Sequence, residues 1–364
     1  MAEYTVANYE DSLETRRALF DFYRVAYPGM DELLDDARFE WQSFQNPLAP
    51  AGRNFLFHLY DQDRRMVGQN ILIPYQLTID GRVRDALCST NLLVLPGMEG
   101  KGLGHRLIER HEQEGQVCFA VGITPASSRA FQKRGWKPVD DARLHALFRR
   151  PGPCLRYTKT RGLVVLVASP VVRFVNVLLR LIAPMRVPSQ IPGVSHETIE
   201  RFDSAWDPIW AEALRPYAIH FVRRADFLNW KYRSRRDVQH QILLFRQAQE
   251  PVAYIVYRLS RNPARGIFLG RIVDLVYRAG VHPKFAHYMI GVARRAIVAA
   301  GVDGMVGIAS SPELRRAYQA NGFVISRVQP AIIREDGFSL AELRRKFPDI
   351  WYITLGDSDL DNYW

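Results

Sequence analysis

The sequence predicts an α+β fold with mixed sheets, laid out twice along the chain. Three observations carry that expectation. Short alternating apolar segments outnumber helical ones and are interleaved with them. The order of segments before residue 150 recurs after residue 196. One strand-to-helix junction carries glycines at alternate positions, at Gly100, Gly102 and Gly104.

The first flank opens with YTVANYEDS, continues through a helical stretch to FEWQSFQNP, and then alternates through FLFHLYDQD, RMVGQNILIPYQLTI and VRDALCSTNLLVLP. The second opens with HETIERFDS and reaches FLNWKYRSR by a helical stretch. It then alternates through HQILLFRQA, PVAYIVYRL and GRIVDLVYRAGV. Each flank goes on to a helix, a short apolar segment, a second helix and a glycine–aromatic pair, SSRAFQKRGWKPV in one and SPELRRAYQANGFVI in the other. This is an approximate internal duplication. The 364 residues suit two or three domains. The division read from the sequence is 1–155, a linking piece 156–195, and 196–364.

The linking piece holds much of the charge imbalance. The net charge is +11, and residues 151–195 supply six Lys or Arg and no Asp or Glu. Ser169 followed by Pro170 reads as a helix start, and Pro184 bounds its end. That leaves a helix of about 14 residues, about 21 Å long, against the ~20 apolar residues that a bilayer demands. Ser169, Arg173, Asn176 and Arg180 form a polar stripe, and the rest of the surface is apolar. Such a face is either packed between domains or laid on a membrane surface, so peripheral contact through 163–183 is one expectation. Pro184, Pro188 and Pro192 then mark a linker. The cysteines, Cys88, Cys118 and Cys154, exclude a disulfide framework and lack metal spacing, and no metal site is expected. The polar, acidic start of the chain is no secretory signal, so a reducing cytoplasmic setting is expected, with any membrane contact on the inner face.

The strand Asn91 to Leu95 runs through Pro96 into the glycine turn, and a helix follows with Leu103, Leu107 and Ile108 on one side. A strand, a glycine loop and a helix N-terminus make an anion site. Backbone N–H groups point outward, and missing side chains let a phosphate approach. The loop lacks the Gly-Lys-Ser/Thr of a Walker motif, and its place in a mixed sheet is wrong for a dinucleotide fingerprint.

The run Glu99-Gly100-Lys101-Gly102-Leu103-Gly104 resembles the pyrophosphate loop of the GCN5-related N-acetyltransferase (GNAT) family, Arg/Gln-x-x-Gly-x-Gly/Ala, with Glu99 in place of Arg or Gln. The segments ending in Gly135-Trp136 and Gly322-Phe323 resemble the family's next element. The resemblance spans both flanks, as two tandem GNAT-like domains. In the second, Arg278-Ala279-Gly280-Val281-His282-Pro283-Lys284 keeps a single glycine, so its loop is degenerate. The resemblance implies acetyl-CoA or another acyl-CoA as donor, a small amine as acceptor, and direct attack in a ternary complex. It implies Leu93, Val94 and Leu95 as the oxyanion strand, and Glu99, Gly100, Lys101, Gly102, Leu103, Gly104 and His105 around the pyrophosphate. A narrower resemblance joins Trp41, Asn46-Pro47, Trp230-Lys231-Tyr232 and Trp351 to Asp359. These look like bacterial GNAT proteins linked to polysaccharide biosynthesis, which implies an amino-sugar acceptor.

Acyl transfer needs a proton acceptor for the amine and a proton donor for the thiolate. The first half has Phe131 where a donor tyrosine stands in the second half, as Tyr318, and its strand carries Ser89, Thr90 and Asn91 where the second has Asp274. Asp274 and Tyr318 are therefore the catalytic candidates, either completing one shared site or superseded by waters and substrate groups. Two rival readings stand beside the enzyme. One is a degenerate tandem GNAT scaffold that binds acyl-CoA or a partner. The other is an aminoacyl or peptidyl transferase of related fold, disfavoured because basic charge outside the linking piece is modest, and no nucleic-acid partner is expected. The closing run Asp357-Ser358-Asp359 begins like a calcium loop without its later ligands and reads as a polar tail.

Overall fold

The computed structural model describes residues 4–28, 31–139, 142–150, 152–154, 187–235, 237–262, 266–358 and 361. The chain forms two compact units, each assembled from three stretches of sequence. The first takes Met1–Asp140, Asp226–Asp237 and Pro330–Lys346, and the second takes Asp141–Ala225, Val238–Gln329 and Phe347–Trp364. The contiguous division at 155 and 196 follows the duplication in sequence; the compact units instead interleave. The helix expected over 170–183, and the membrane contact expected of 163–183, lie outside the described residues. Among the described residues, no helix is long and apolar enough to cross a membrane.

In the first unit, chain order gives β1 (Thr5–Asn8), α1 (Leu13–Ala26), α2 (Asp36–Ser43), β2 (Leu56–Tyr60), β3 (Met66–Ile79) and β4 (Arg82–Val94). Then come α3 (Leu103–Glu112), β5 (Val117–Val121), α4 (Pro125–Lys133) and β6 (Lys137–Val139). The sheet runs β1-β2-β3-β4-β5, then a strand from Ala331–Ile333, then β6. Pairing is antiparallel except between β4 and β5, which run parallel. Local chemistry sets the ends. Ser12 and Thr15 close a capping box on α1, and Thr124 caps α4 with Pro125 in its first turn. The β3–β4 hairpin turns on Asp80 and Gly81, both in the left-handed region at φ 49° and 75°, as a tight two-residue turn requires. Gly135 ends α4 at φ 85° and delivers Trp136 into a core cluster with Ile108, Cys118, Phe131 and Ile332.

The second unit contains β7 (Arg143–Phe148), β8 (Val194–Ile199), α5 (Asp207–Leu214) and β9 (Tyr217–Phe221). Next is α6 (Ala225–Arg233), whose residues from Asp226 belong to the first unit. It continues with β10 (His240–Gln247), β11 (Glu250–Asn262), β12 (Ile267–Tyr277), α7 (Phe285–Ala299), β13 (Gly304–Ala309), α8 (Pro312–Ala320) and β14 (Val324–Val328). The chain then supplies β15 (Ala331–Ile333) and α9 (Leu340–Lys346) to the first unit and returns with β16 (Asp349–Tyr352). The second sheet runs β14-β7-β13-β12-β11-β10-β8, with β12–β13 its parallel pair, and β16 pairs parallel with β9. Its β10–β11 hairpin turns on Ala248 and Gln249, again left-handed at φ 49° and 71°, without a glycine. Both sheets carry an antiparallel ladder with a parallel pair in it, but β7 from the first half of the sequence joins the second sheet and β15 from the second half joins the first.

Cys88, Cys118 and Cys154 are buried thiols, and burial pushes the Cys118 thiol up to about 12. They are core residues, as a small apolar side chain should be. Trp41 and Trp230, in the first unit, stack on each other at 4.6 Å and 13°, and the Trp41 indole N–H donates to the Trp230 carbonyl at 3.1 Å. With Tyr232 at 2% exposure, these aromatics are packing and not an open platform for a sugar ring.

Candidate active site

The glycine turn of the first unit adopts a shape that side chains resist. Gly97, Gly100 and Gly102 have φ of 83°, 78° and 76°. A Cβ built on Gly97, Gly100, Gly102 or Gly104 would meet nothing within 4 Å, so this face of the turn is bare. Gly102 caps α3 in the left-handed conformation with no side-chain cap. Its carbonyl takes the His105 amide at 3.1 Å and the Arg106 amide at 3.4 Å, while the amides of Leu103 and Gly104 precede the helical ladder and point out of its end. Fixed N–H groups on an open face, at the positive end of a helix, suit phosphate oxygens.

The charged residues of the turn are committed locally. Glu99, the departure from the family pattern, accepts the Gly97 amide at 2.7 Å and so braces the turn. The Lys101 ammonium folds back on the Met98 sulfur at 3.3 Å, and Arg106 donates to the Tyr4 carbonyl at 2.6 Å.

Beside the turn the sheet opens. β4 and β5 pair in parallel from Ala86–Val117 to Cys88–Phe119 and then separate. β5 continues along β15, while β4 continues along β3 past an irregularity between Gln69 and Ile71. Asn91 sits at that irregularity with φ 50°, its side-chain oxygen 3.4 Å from the Tyr27 hydroxyl. From Asn91 to Val94 the strand is half-buried although it lies mid-sheet, because among the described residues no strand pairs with that edge beyond Cys88. The Leu95 amide donates to Val67 at 2.8 Å, so alternation turns the N–H of Val94 away from β3 and into the gap. Ser89 and Thr90 are spoken for, by Asn70 at 2.7 Å and by the Ile71 carbonyl at 3.1 Å.

The second unit repeats the opening. β12 and β13 pair from Leu269–Gly304 to Ile272–Gly307, and β12 has its own irregularity between Val256 and Tyr257 of β11. Here the gap is filled. Thr354 bridges Ala309, Gly356 donates to the Val273 carbonyl at 2.6 Å, and Ile353 and Ser310 bond each other. Asp274, the candidate base, is 1% exposed. It accepts from Arg223 at 3.1 Å, Tyr254 at 3.0 Å, Thr354 at 3.0 Å and the Leu275 amide at 2.9 Å. Arg223 also holds Asp357 at 2.8 Å. Burial opposes the guanidinium charge, and the two carboxylates override it and hold Arg223 protonated. Asp274 thus sits inside a buried ion-paired cluster with four donors on its carboxylate. One expectation is corrected: Asp357 is a buried acid and not part of a polar tail. Sequence reasoning missed Arg223 altogether; its signal was a basic pair following an apolar strand, which reads equally as surface charge.

Tyr318 is fully buried and stacks on His145 at 4.9 Å and 18°. Its hydroxyl has no hydrogen-bond partner among the described residues and lies against Gly307, where a Cβ would meet it at 2.3 Å. Burial, with the Asp274 charge adding to it, raises its pKa well above the usual phenol range. Phe131 occupies the matching helix position in the first unit, packed on Trp136 at 4.5 Å. The loop candidates Leu93 to His105 thus cluster in the first unit, and Asp274 and Tyr318 belong to the second.

No family model and no curated protein matches the chain. Solved structures do. A GCN5-related N-acetyltransferase from Anabaena variabilis matches at TM-score 0.58 and 12% identity, over 91% of this chain and 72% of its own. Saccharomyces cerevisiae N-myristoyltransferase with bound myristoyl-CoA matches at TM-score 0.60 and 10% identity, over 92% of this chain and 83% of its own. At such identities the likeness establishes the fold, the GNAT acyltransferase fold expected from the sequence.

Proposed function

We propose that this protein is an acyl-CoA-dependent N-acyltransferase whose donor site is the gap and glycine turn of the first unit. The observation that carries this reading is the turn between β4 and α3. Three left-handed glycines present bare backbone to solvent directly beside the half-buried end of β4, Asn91 to Val94. A pyrophosphate would lie on the amides of Gly102, Leu103 and Gly104, and the pantetheine arm, itself a chain of amides, would extend β4 across the gap. The thioester brings the acyl group, and the chain's own residues do the rest. The Val94 N–H faces the carbonyl oxygen as charge develops on it. The amine nitrogen forms the C–N bond as the C–S bond breaks, and its proton leaves through water, since Ser89 and Thr90 are already hydrogen-bonded, while Phe131 has no proton to give the thiolate. The thiolate takes its proton by the same solvent route. The acceptor we favour is a small primary amine such as an amino sugar, and acetyl-CoA is the first donor to try.

The test is calorimetric titration of the full chain with acetyl-CoA, myristoyl-CoA and CoA, with the variant Gly102→Asp in parallel. Wild type is expected to bind one equivalent. The variant, which sets a carboxylate against phosphate and strains the backbone, should lose about ten- to a hundredfold in affinity. Unchanged affinity in Gly102→Asp would remove the turn from the donor site.

A further inference from the structure

The second sheet ends in a strand that is more apolar than an edge should be. β14 is the terminal strand of its sheet, and among the described residues no strand pairs with its outer side. All five of its residues are exposed. Val324, Ile325 and Val328 are 43%, 47% and 49% exposed, and no other five-residue stretch of the described chain exposes three large apolar side chains. Edge strands are ordinarily blunted with lysine or proline. β14 has neither, and its one charge is Arg327. An irregularity between Ile325 and Arg327 sorts the side chains. Ile325 stands opposite His145 and Val328 opposite Arg143, two residues apart on β7, so both lie on one face of the sheet. Val324 and Arg327, opposite Ala146 and Leu144, lie on the other, where the Arg327 guanidinium is 3.0 Å from the Gln329 side-chain amide.

The edge itself selects the occupant. Its outward N–H and C=O groups would have no partner in hydrocarbon, which disfavours a lipid surface, whereas a second strand satisfies them. The sequence of β14 complements itself. In an antiparallel two-fold pair, Ile325 of each copy falls opposite Val328 of the other, and Ser326 opposite Arg327. Aliphatic meets aliphatic at both ends of the pair, and no like charges stand directly opposite. What opposes the pairing is charge nearby. Arg143 stands beside Val328, the charge of Arg315 on α8 is felt at the His145 ring across from Ile325, and the whole chain carries +11. These charges repel those of a second copy, and salt screens that repulsion. We propose that two copies of this chain join through β14, edge to edge and antiparallel, so that two seven-stranded sheets become one continuous sheet. The proposal stands on the second unit alone and does not need the donor site of the first.

The experiment is sedimentation velocity of the full chain from about 1 to about 300 µM. A strand pair this short should give a weak, reversible dimer, with Kd on the order of 10 µM. Ile325→Lys changes an exposed side chain, sets a charge on the paired face and should weaken the dimer about tenfold. Val83→Lys adds the same charge at an exposed apolar residue of the first unit and should leave the dimer within about twofold of wild type. Raising NaCl from about 0.05 to about 0.5 M should tighten the wild-type dimer about threefold. Disulfide formation reads the register. A mixture of Ile325→Cys and Val328→Cys chains should cross-link on oxidation and either chain alone should not, because only the mixture sets two new thiols opposite each other. A monomer throughout the range, a dimer that Ile325→Lys leaves intact or that Val83→Lys weakens equally, a dimer that loosens with salt, or a mixture that cross-links no better than its separate chains would each overturn the proposal.

Discussion

In the first unit β4 and β5 pair in parallel as far as Cys88 and Phe119 and then diverge; in the second, β12 and β13 do the same after Ile272 and Gly307. The backbone event is one and the same, and the contents differ. The first gap is flanked by Gly97, Gly100 and Gly102 and left with a half-exposed strand edge. The second receives Ile353 to Asp357 of the chain itself, and Arg223 binds Asp274 to Asp357 inside it. The turn beside the second gap has lost all but Gly280 of its glycines. A duplicated fold therefore keeps the opening and reassigns it. One copy leaves the opening half-exposed, and the other turns the same space into core.

Three changes test that contrast, the largest first. Arg223→Ala leaves two carboxylates buried without their cation and should cost the second unit about 3–5 kcal/mol, read by urea unfolding. Hydrogen exchange should show the loss at Val273 and Gly356, with the strands of the first unit unmoved. Equal loss in both units would mean the plug is not confined to the second.

Acid is the next probe. Burial pushes His58 and His111 of the first unit down to about 3, and His145 and His220 of the second down to about 4. These rings stay neutral in the fold while the unfolded chain takes protons below about pH 6.5. Their contribution is whole above that value and is lost as pH falls toward 3 or 4. The slope approaches about 1.4 kcal/mol per pH unit for each ring. His111→Gln keeps a donor for the Leu87 carbonyl, 3.2 Å away, and should flatten the acid slope of the first unit only. A slope that is unchanged there, or flattened in the second unit too, would contradict the assignment.

The smallest effect compares the hairpins. Asp80–Gly81 suits a turn with two left-handed residues; Ala248–Gln249 does not. Gln249→Gly should stabilise the second unit by about 1 kcal/mol, visible as a higher midpoint in urea. Gly81→Ala should do the reverse in the first.

The features legible in the sequence were those whose cause is local. The glycine turn, the capped helices and the Gly135-Trp136 and Gly322-Phe323 pairs each follow from a few neighbouring residues, and so does the duplication they mark. The turn proposed as the donor loop was legible for that reason. What the sequence hid depends on distant partners. Asp274 looked like a reactive acid because its strand is apolar, and nothing within 50 residues on the C-terminal side announces Thr354 and Asp357. Trp41 and Trp230 stack on each other from 189 residues apart, a partnership that neither local sequence shows. The exchange of β7 and β15 was invisible for the same cause, since a strand of three or six residues carries no record of which sheet it joins.

That exchange orders events at the ribosome. β5 and β6 are each bonded to β15, so when residue 140 has been made, the first sheet still has two strand edges waiting for Ala331–Ile333. β7 waits likewise for β13 and β14. Roughly 160 residues must be translated after β7 before β13 covers it, and roughly 190 after residue 140 before β15 joins β5 and β6, at about 5–20 residues per second. For that interval of some tens of seconds the nascent chain carries unpaired strands that a chaperone would hold. A fragment cut near residue 155 would keep them exposed for good.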